Sequence, residues 1–172
     1  MSSLFPPDLY DAAQSLLAEL QRRALLIATA ESCTGGLLAG LLTEVPGASA
    51  MVERGFVTYS DAAKTELLGV PADLIARYGA VSAEVGRAMA EGALKNTPAH
   101  VAVSITGIAG PDGGSPEKPV GLVYIAVAAK GERTRTHECR FGDIGRRDVR
   151  LASVRQALKL ARGVVKPGLS HA

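Results

Sequence analysis

The sequence predicts an α/β protein, a three-layer α/β/α sandwich around a mixed, mostly parallel sheet, forming a single domain over residues 1–172 with its core at about 8–165. Two short runs, Leu25 to Ala30 and Val101 to Ile105, are apolar on both faces, as in strands buried in the middle of a sheet. Segments with apolar residues at helical spacing alternate with such runs. Strands alternating with helices call for helices packed on both faces of a sheet. A chain of 172 residues is long enough to bury a substantial core in one domain.

The first element is a helix over residues 8–22, limited by Pro6 and Pro7 and carrying an apolar stripe of Leu9, Ala13, Leu16, Leu17 and Leu20. The strand at 25–30 ends in Glu31-Ser32-Cys33-Thr34-Gly35-Gly36, after which Leu37, Leu38, Leu41 and Leu42 resume helical spacing up to Pro46-Gly47. Met51 to Tyr59 reads as a strand. Ser60 or Asp61 can cap a short helix holding Lys64, Leu67 and Leu68, stopped at Gly69. Pro71 to Arg77 is one more short helix, and Ser82 opens another that runs to about Lys95 with a face of small residues. The strand at 101–105 runs into the loop Thr106 to Gly114. Gly121 to Ala129 and Arg133 to Phe141 form an antiparallel pair turning at Lys130-Gly131, which makes the sheet mixed. Leu151, Val154, Leu158, Ala161 and Val165 give the last helix its stripe.

Composition narrows the class of function. Nineteen basic residues face 17 acidic ones, a net charge of +2, with four Tyr, three Phe and no Trp. A nucleic-acid partner is not expected, because such binders concentrate positive charge and single-strand binders add aromatic platforms. The N-terminal residues lack a basic segment followed by an apolar run, and no stretch approaches the ~18 apolar residues of a membrane span. The expectation is a cytoplasmic protein with no membrane partner. Two cysteines, Cys33 and Cys139, do not make a disulfide scaffold. No paired Cys/His spacing or carboxylate cluster suggests a metal, and no cofactor is expected.

Two loops mix hydroxyls with small residues and each follows a buried strand. Ligands of open α/β sheets lie outside the carboxyl ends of strands, so Ser32 to Gly36 and Thr106 to Gly114 can face one crevice. Gly35 and Gly36 let backbone N–H groups approach a ligand at the positive end of the following helix, which suits an anion site or an oxyanion hole. The alternative is that Thr34 caps a helix and the glycines make a turn. Ser32 is the candidate nucleophile, and it needs a base. His100, His137 and His171 lie outside these loops. Lys64, close behind a strand end, would serve if desolvation lowered its pKa, and is otherwise a solvated helix lysine. Cys33 competes with Ser32, since a thiol at a helix N-terminus is an activated nucleophile, unless it is merely a small buried residue. Arg146, Arg147 and Arg150 cluster at the start of the last helix, where an arginine can hold a phosphate or pair with a surface Asp.

Five strings in these segments resemble one family: AESCTGG at 30–36, YSDAAKTELLGV at 59–70, GAVSAEV at 79–85, GIAGPDGGSPEKPVG at 107–121 and FGDIGRRDVR at 141–150. Together they span about residues 25–160. The sequence resembles the C-terminal domain of the competence/damage-inducible CinA proteins, which also occurs alone as the bacterial nicotinamide-nucleotide amidase. The resemblance implies hydrolysis of the pyridine nucleotide nicotinamide mononucleotide to nicotinic acid mononucleotide and ammonia, without metal or organic cofactor, and a homo-oligomer. It puts the nucleophile on Ser32, the general base on Lys64 and an assisting tyrosine on Tyr59. It puts substrate-binding roles on Thr106 and Arg146, and the reading of the two loops adds Thr34, Gly35, Gly36 and Gly107 as substrate-binding positions. Relatives carry a compact Gly-Asp-Arg before the last helix, whereas Ile144-Gly145 intervene here. Anchoring on Val149-Arg150 favours Arg146 and leaves Arg147 as the alternative. The molybdopterin-binding-like domain of longer relatives is not matched in this sequence, so no pyrophosphatase activity is implied. The rival expectation is a non-catalytic nucleotide-binding or regulatory module.

Overall fold

The structure, a computed structural model, describes residues 3–165. His171 lies outside the described residues. Helices are α1 (Pro7–Arg22), α2 (Leu37–Glu44), α3 (Asp61–Leu68), α4 (Ala72–Tyr78), α5 (Ala83–Lys95) and α6 (Arg146–Val165). Strands are β1 (Ile27–Glu31), β2 (Val52–Val57), β3 (Val101–Gly107), β4 (Leu122–Ala129) and β5 (Arg135–Arg140). A short 3-10 turn, Ala48–Ala50, precedes β2 and has no periodic signal in the sequence.

The five strands form one sheet in the order β2-β1-β3-β4-β5. The expectation of a mostly parallel sheet is wrong. β1 pairs parallel with β2 and β3, through five residue pairs each, whereas β3–β4 and β4–β5 are antiparallel through seven and six pairs. The sheet is mixed with antiparallel pairing in the majority. The reason lies in β4, which enters the centre of the sheet beside β3 without a crossover helix. The chain between Gly107 and Leu122 is a loop, and such a connection returns antiparallel, while parallel neighbours need a crossover of the βαβ kind.

The two faces of the sheet differ in side-chain size. Ile27, Val103, Ile105, Val123, Ile125 and Val127 meet α1, α2 and α6 in the larger core, with Leu9, Leu16, Leu20, Leu41 and Leu158. The opposite face presents Ala28, Ala30 and Ala102 to Val85, Met89 and Ala93 of α5. Small residues on both sides let α5 come close enough for Ser104 Oγ to donate to the Gly86 carbonyl at 2.6 Å. The small-residue face of α5 is thus a packing requirement. β1 is buried at every position and β3 at all but its last, whereas the edge strands β2 and β5 are largely exposed or half-buried.

α5 also sets the position of α3. A Cβ at Gly92 would collide with the Leu68 carbonyl oxygen at the end of α3. Gly92→Ala should therefore push α3 away and cost about 2 kcal/mol, net of the ~1 kcal/mol that Ala contributes as a helix former. A denaturation midpoint unchanged from wild type would refute this close approach.

Candidate active site

β1 and β2 run parallel, so their carboxyl ends emerge side by side, and β3 adds a third on the other flank of β1. Three segments therefore converge: Ser32 after β1, Thr58 to Lys64 after β2, and Thr106 to Gly113 at the end of β3. They enclose a cleft of about 260 Å³ whose lining includes Ser32, Cys33, Tyr59, Asp61, Lys64, Thr106, Gly107 and Arg146. β3 runs two residues beyond its expected end, so Thr106 and Gly107 are strand residues at the cleft floor.

Among the described residues Lys64 is the largest ionisable side chain that is buried, 1% exposed. Its Nζ lies 3.2 Å from Ser32 Oγ, 2.9 Å from the Thr58 carbonyl, and 3.5 Å from those of Tyr59 and Ser60. Ser60 fixes the approach by capping α3, its hydroxyl accepting from the Ala63 N–H at 3.1 Å. Burial lowers the Lys64 pKa from 10.5, while the nearby Asp61 and Cys33 pull it the other way. Nζ donates to the Thr58 carbonyl and to Ser32 Oγ, and on losing a proton the amine would present a lone pair within reach of the serine O–H.

Cys33 is 6% exposed, and burial pushes its thiol pKa up to about 12, with Glu31 adding to the rise. The thiolate that would make it a nucleophile is thus absent near neutral pH. Cys33→Ala should leave any hydrolytic activity that depends on Ser32 within about tenfold of wild type, because it removes a small buried group. A loss approaching that of a Ser32 variant would transfer the nucleophilic role to the thiol.

The loop after Ser32 is organised differently from the simplest expectation. Thr34 makes no side-chain cap on α2. Instead Glu31, fully buried, accepts from the N–H groups of Leu38 at 3.0 Å and Ala39 at 2.9 Å. A carboxylate from the end of β1 thus occupies the positive end of α2 that was expected to face a substrate anion. Gly35 N–H donates to the Ser32 carbonyl and Leu37 N–H to that of Thr34. Among the described residues, the N–H groups of Cys33, Thr34 and Gly36 have no protein acceptor. Thr34 is buried behind the cleft, and Gly35 and Gly36 are not part of its wall. Glu31 escaped notice in the sequence because its role depends on α2 folding back over the end of β1.

Arg146 donates through Nη1 to the Gly110 carbonyl and through Nη2 to the Tyr59 hydroxyl, both at 2.9 Å. It joins the β3–β4 loop to the segment after β2 across the cleft mouth. Arg147, the alternative, is exposed and does not line the cleft. The Tyr59 hydroxyl engages Arg146, while its carbonyl faces Lys64. Thr106 Oγ1 donates to the Ala80 carbonyl at 2.8 Å, so it can donate to a ligand only by giving up that bond. Asp61 and Asp112 also line the cleft; the sequence marked Asp61 only as a helix cap.

An α/β/α sandwich with a buried lysine against a serine at the carboxyl end of its central strand is the class of protein that this fold and cleft define. The chain belongs to the CinA C-terminal domain family, which it matches over residues 9–165. It is 58% identical to a CinA-like protein of Akkermansia muciniphila over 123 residues, 72% of this chain and 30% of that protein. A CinA-like protein of Anaeromyxobacter sp. (strain Fw109-5) is 50% identical over 86% of this chain and 35% of its own length. The chain thus spans about a third of the curated relatives it matches. Among solved structures, a competence/damage-inducible protein from Agrobacterium tumefaciens superposes with a TM-score of 0.93 at 50% identity, covering 95% of this chain and 99% of that one. A CinA superfamily protein from Escherichia coli gives 0.84 at 36% identity over 92% and 91%. Among the described residues no helix is long and apolar enough to cross a membrane.

Proposed function

We propose that the protein is an amidohydrolase that converts nicotinamide mononucleotide to nicotinic acid mononucleotide and ammonia through an acyl-enzyme on Ser32. The observation that carries the reading is the 3.2 Å separation of Lys64 Nζ from Ser32 Oγ, with the amine buried and its pKa lowered. A binding module has no use for a desolvated lysine held against a loop serine, and burying it is costly.

In this mechanism neutral Lys64 takes the Ser32 proton as Oγ attacks the carboxamide carbon. The oxyanion falls to the free N–H of Cys33, which lines the cleft, a contact of the kind typically worth ~3 kcal/mol. Protonated Lys64 returns the proton to the departing nitrogen as the C–N bond breaks, releasing ammonia and leaving the Ser32 ester. Water then attacks the ester, Lys64 accepts its proton, and collapse restores the serine hydroxyl and frees the carboxylic acid. Arg146 at the mouth offers charge to the phosphate end of the substrate, with Gly107 and Thr106 on the floor, which fixes the amide near Ser32. Tyr59 supports both ends, through its carbonyl near Lys64 and its hydroxyl on Arg146.

The test is ammonia release from nicotinamide mononucleotide by the purified protein, alongside substrates altered at the phosphate or the amide. Release restricted to phosphorylated carboxamides supports the reading. Tight binding of the nucleotide without ammonia would replace it with a nucleotide-binding module of the competence/damage-inducible type.

A further inference from the structure

The Cys33-Thr34-Gly35-Gly36 segment joins the nucleophile to α2, and its two glycines sit at φ +56° and +95°. Glycine populates such conformations freely, so holding this segment still carries an entropic cost. Yet the oxyanion assignment requires the Cys33 N–H to keep one direction. Ser32 N–H on the Ile105 carbonyl anchors one end, and Glu31 on α2 anchors the other. Between them, among the described residues, one side chain hydrogen-bonds to the loop carbonyls.

That side chain is Arg150. Its Nε donates to the Cys33 carbonyl at 3.1 Å and its Nη2 to the Thr34 carbonyl at 3.0 Å. A guanidinium is planar, and two of its N–H groups on consecutive carbonyls fix two consecutive peptide planes together. Those planes carry the Thr34 and Gly35 N–H groups on the side away from Arg150; the Gly35 N–H is bonded to the Ser32 carbonyl, which shares its peptide plane with the Cys33 N–H, so the clamp reaches the Cys33 N–H through that bond. Gly35 itself closes against the fork, since a Cβ there would lie 3.5 Å from Nη2. Arg150 stands one helical turn after Arg146 on α6, so the first turns of one helix deliver one arginine to the cleft mouth and the other behind the loop.

We infer that Arg150 is a positioning residue that clamps the Cys33 and Thr34 carbonyls and so holds the oxyanion-binding N–H in place beside Ser32. It touches no reacting atom and does not line the cleft. The kinetic part of this inference rests on the amidase reading; the clamp itself does not.

The experiment uses the full chain as wild type, Arg150→Ala and Arg150→Lys, and has two readouts. Amide hydrogen exchange needs no substrate: in Arg150→Ala, exchange at Gly35 and Leu37 should accelerate at least ~10-fold while β3 and β4 amides stay as in wild type. Unchanged exchange at those two amides overturns the clamp. With nicotinamide mononucleotide, Arg150→Ala should lower kcat by ~10² and leave KM within about threefold, as for loss of an oxyanion contact. Arg150→Lys should recover part of the rate, because a point charge can hold one carbonyl but not both, and this variant carries the test if Arg150→Ala does not fold. A kcat near wild type, or a loss confined to KM, overturns the positioning role. If wild type itself releases no ammonia, the amidase reading falls and the exchange result alone decides the clamp.

Discussion

Ser32→Ala is expected to abolish ammonia release from nicotinamide mononucleotide, lowering kcat by at least ~10⁴ while the nucleotide still binds. In the proposed mechanism the hydroxyl is the atom that forms the acyl bond, and no neighbour can replace it. Cys33, the adjacent candidate, is buried with its thiol pKa at about 12. The Ser32 backbone is held independently of its side chain, by N–H donation to Ile105 and by the Gly35 N–H on its carbonyl, so alanine should leave the loop in place. In the proposed mechanism binding rests on Arg146 and the cleft floor, which the substitution does not touch. Activity within tenfold of wild type would remove Ser32 from the chemistry and with it the acyl-enzyme.

Lys64→Ala should lower kcat by ~10³ or more with little change in KM, since a general base typically contributes 10²–10⁴. Its amine contacts the serine and three carbonyls, none of them a substrate-binding group. The pH dependence gives a second signature. Only the neutral amine can accept the Ser32 proton, and burial lowers its pKa from 10.5, so activity should rise with pH and level off below 10.5. Stability follows the same sign. The unfolded chain keeps the Lys64 proton to higher pH than the folded one, so the folded state gains stability as pH rises from the folded pKa towards 10.5. Below the folded pKa the cost of burying the ammonium is present in full. Lys64→Met should remove that pH-dependent component while remaining inactive. A Lys64→Ala enzyme with near-normal kcat would exclude the lysine as base.

The helices were legible from periodicity, and α1, α5 and α6 formed where apolar stripes placed them. Ser32, Tyr59, Lys64, Thr106, Gly107 and Arg146 all line one cleft, although they come from four separate stretches of chain. The pattern of a strand followed by small residues and a hydroxyl marked Ser32 and the loop at Thr106 and Gly107, because strand ends are where an α/β fold leaves room for a ligand, whereas Tyr59 and the choice of Lys64 and Arg146 came with the family resemblance. Three matters were not legible. Strand direction at β4 depends on which neighbour β4 finds and not on its own residues. The occupation of the α2 terminus by Glu31 depends on a buried contact seven residues away in sequence. The grip of Arg150 on the Cys33 carbonyl spans 117 residues.

The amino-acid order by itself determined which segments are helix or strand, which loops offer the candidate reactive side chains, and which family the chain resembles, because these depend on local periodicity and contiguous motifs. Only the tertiary structure decided that the amine of Lys64 is buried beside Ser32, that the thiol of Cys33 is silenced, and that the sheet is predominantly antiparallel. Desolvation and strand pairing are set by what packs around a group, and those neighbours lie far away along the chain.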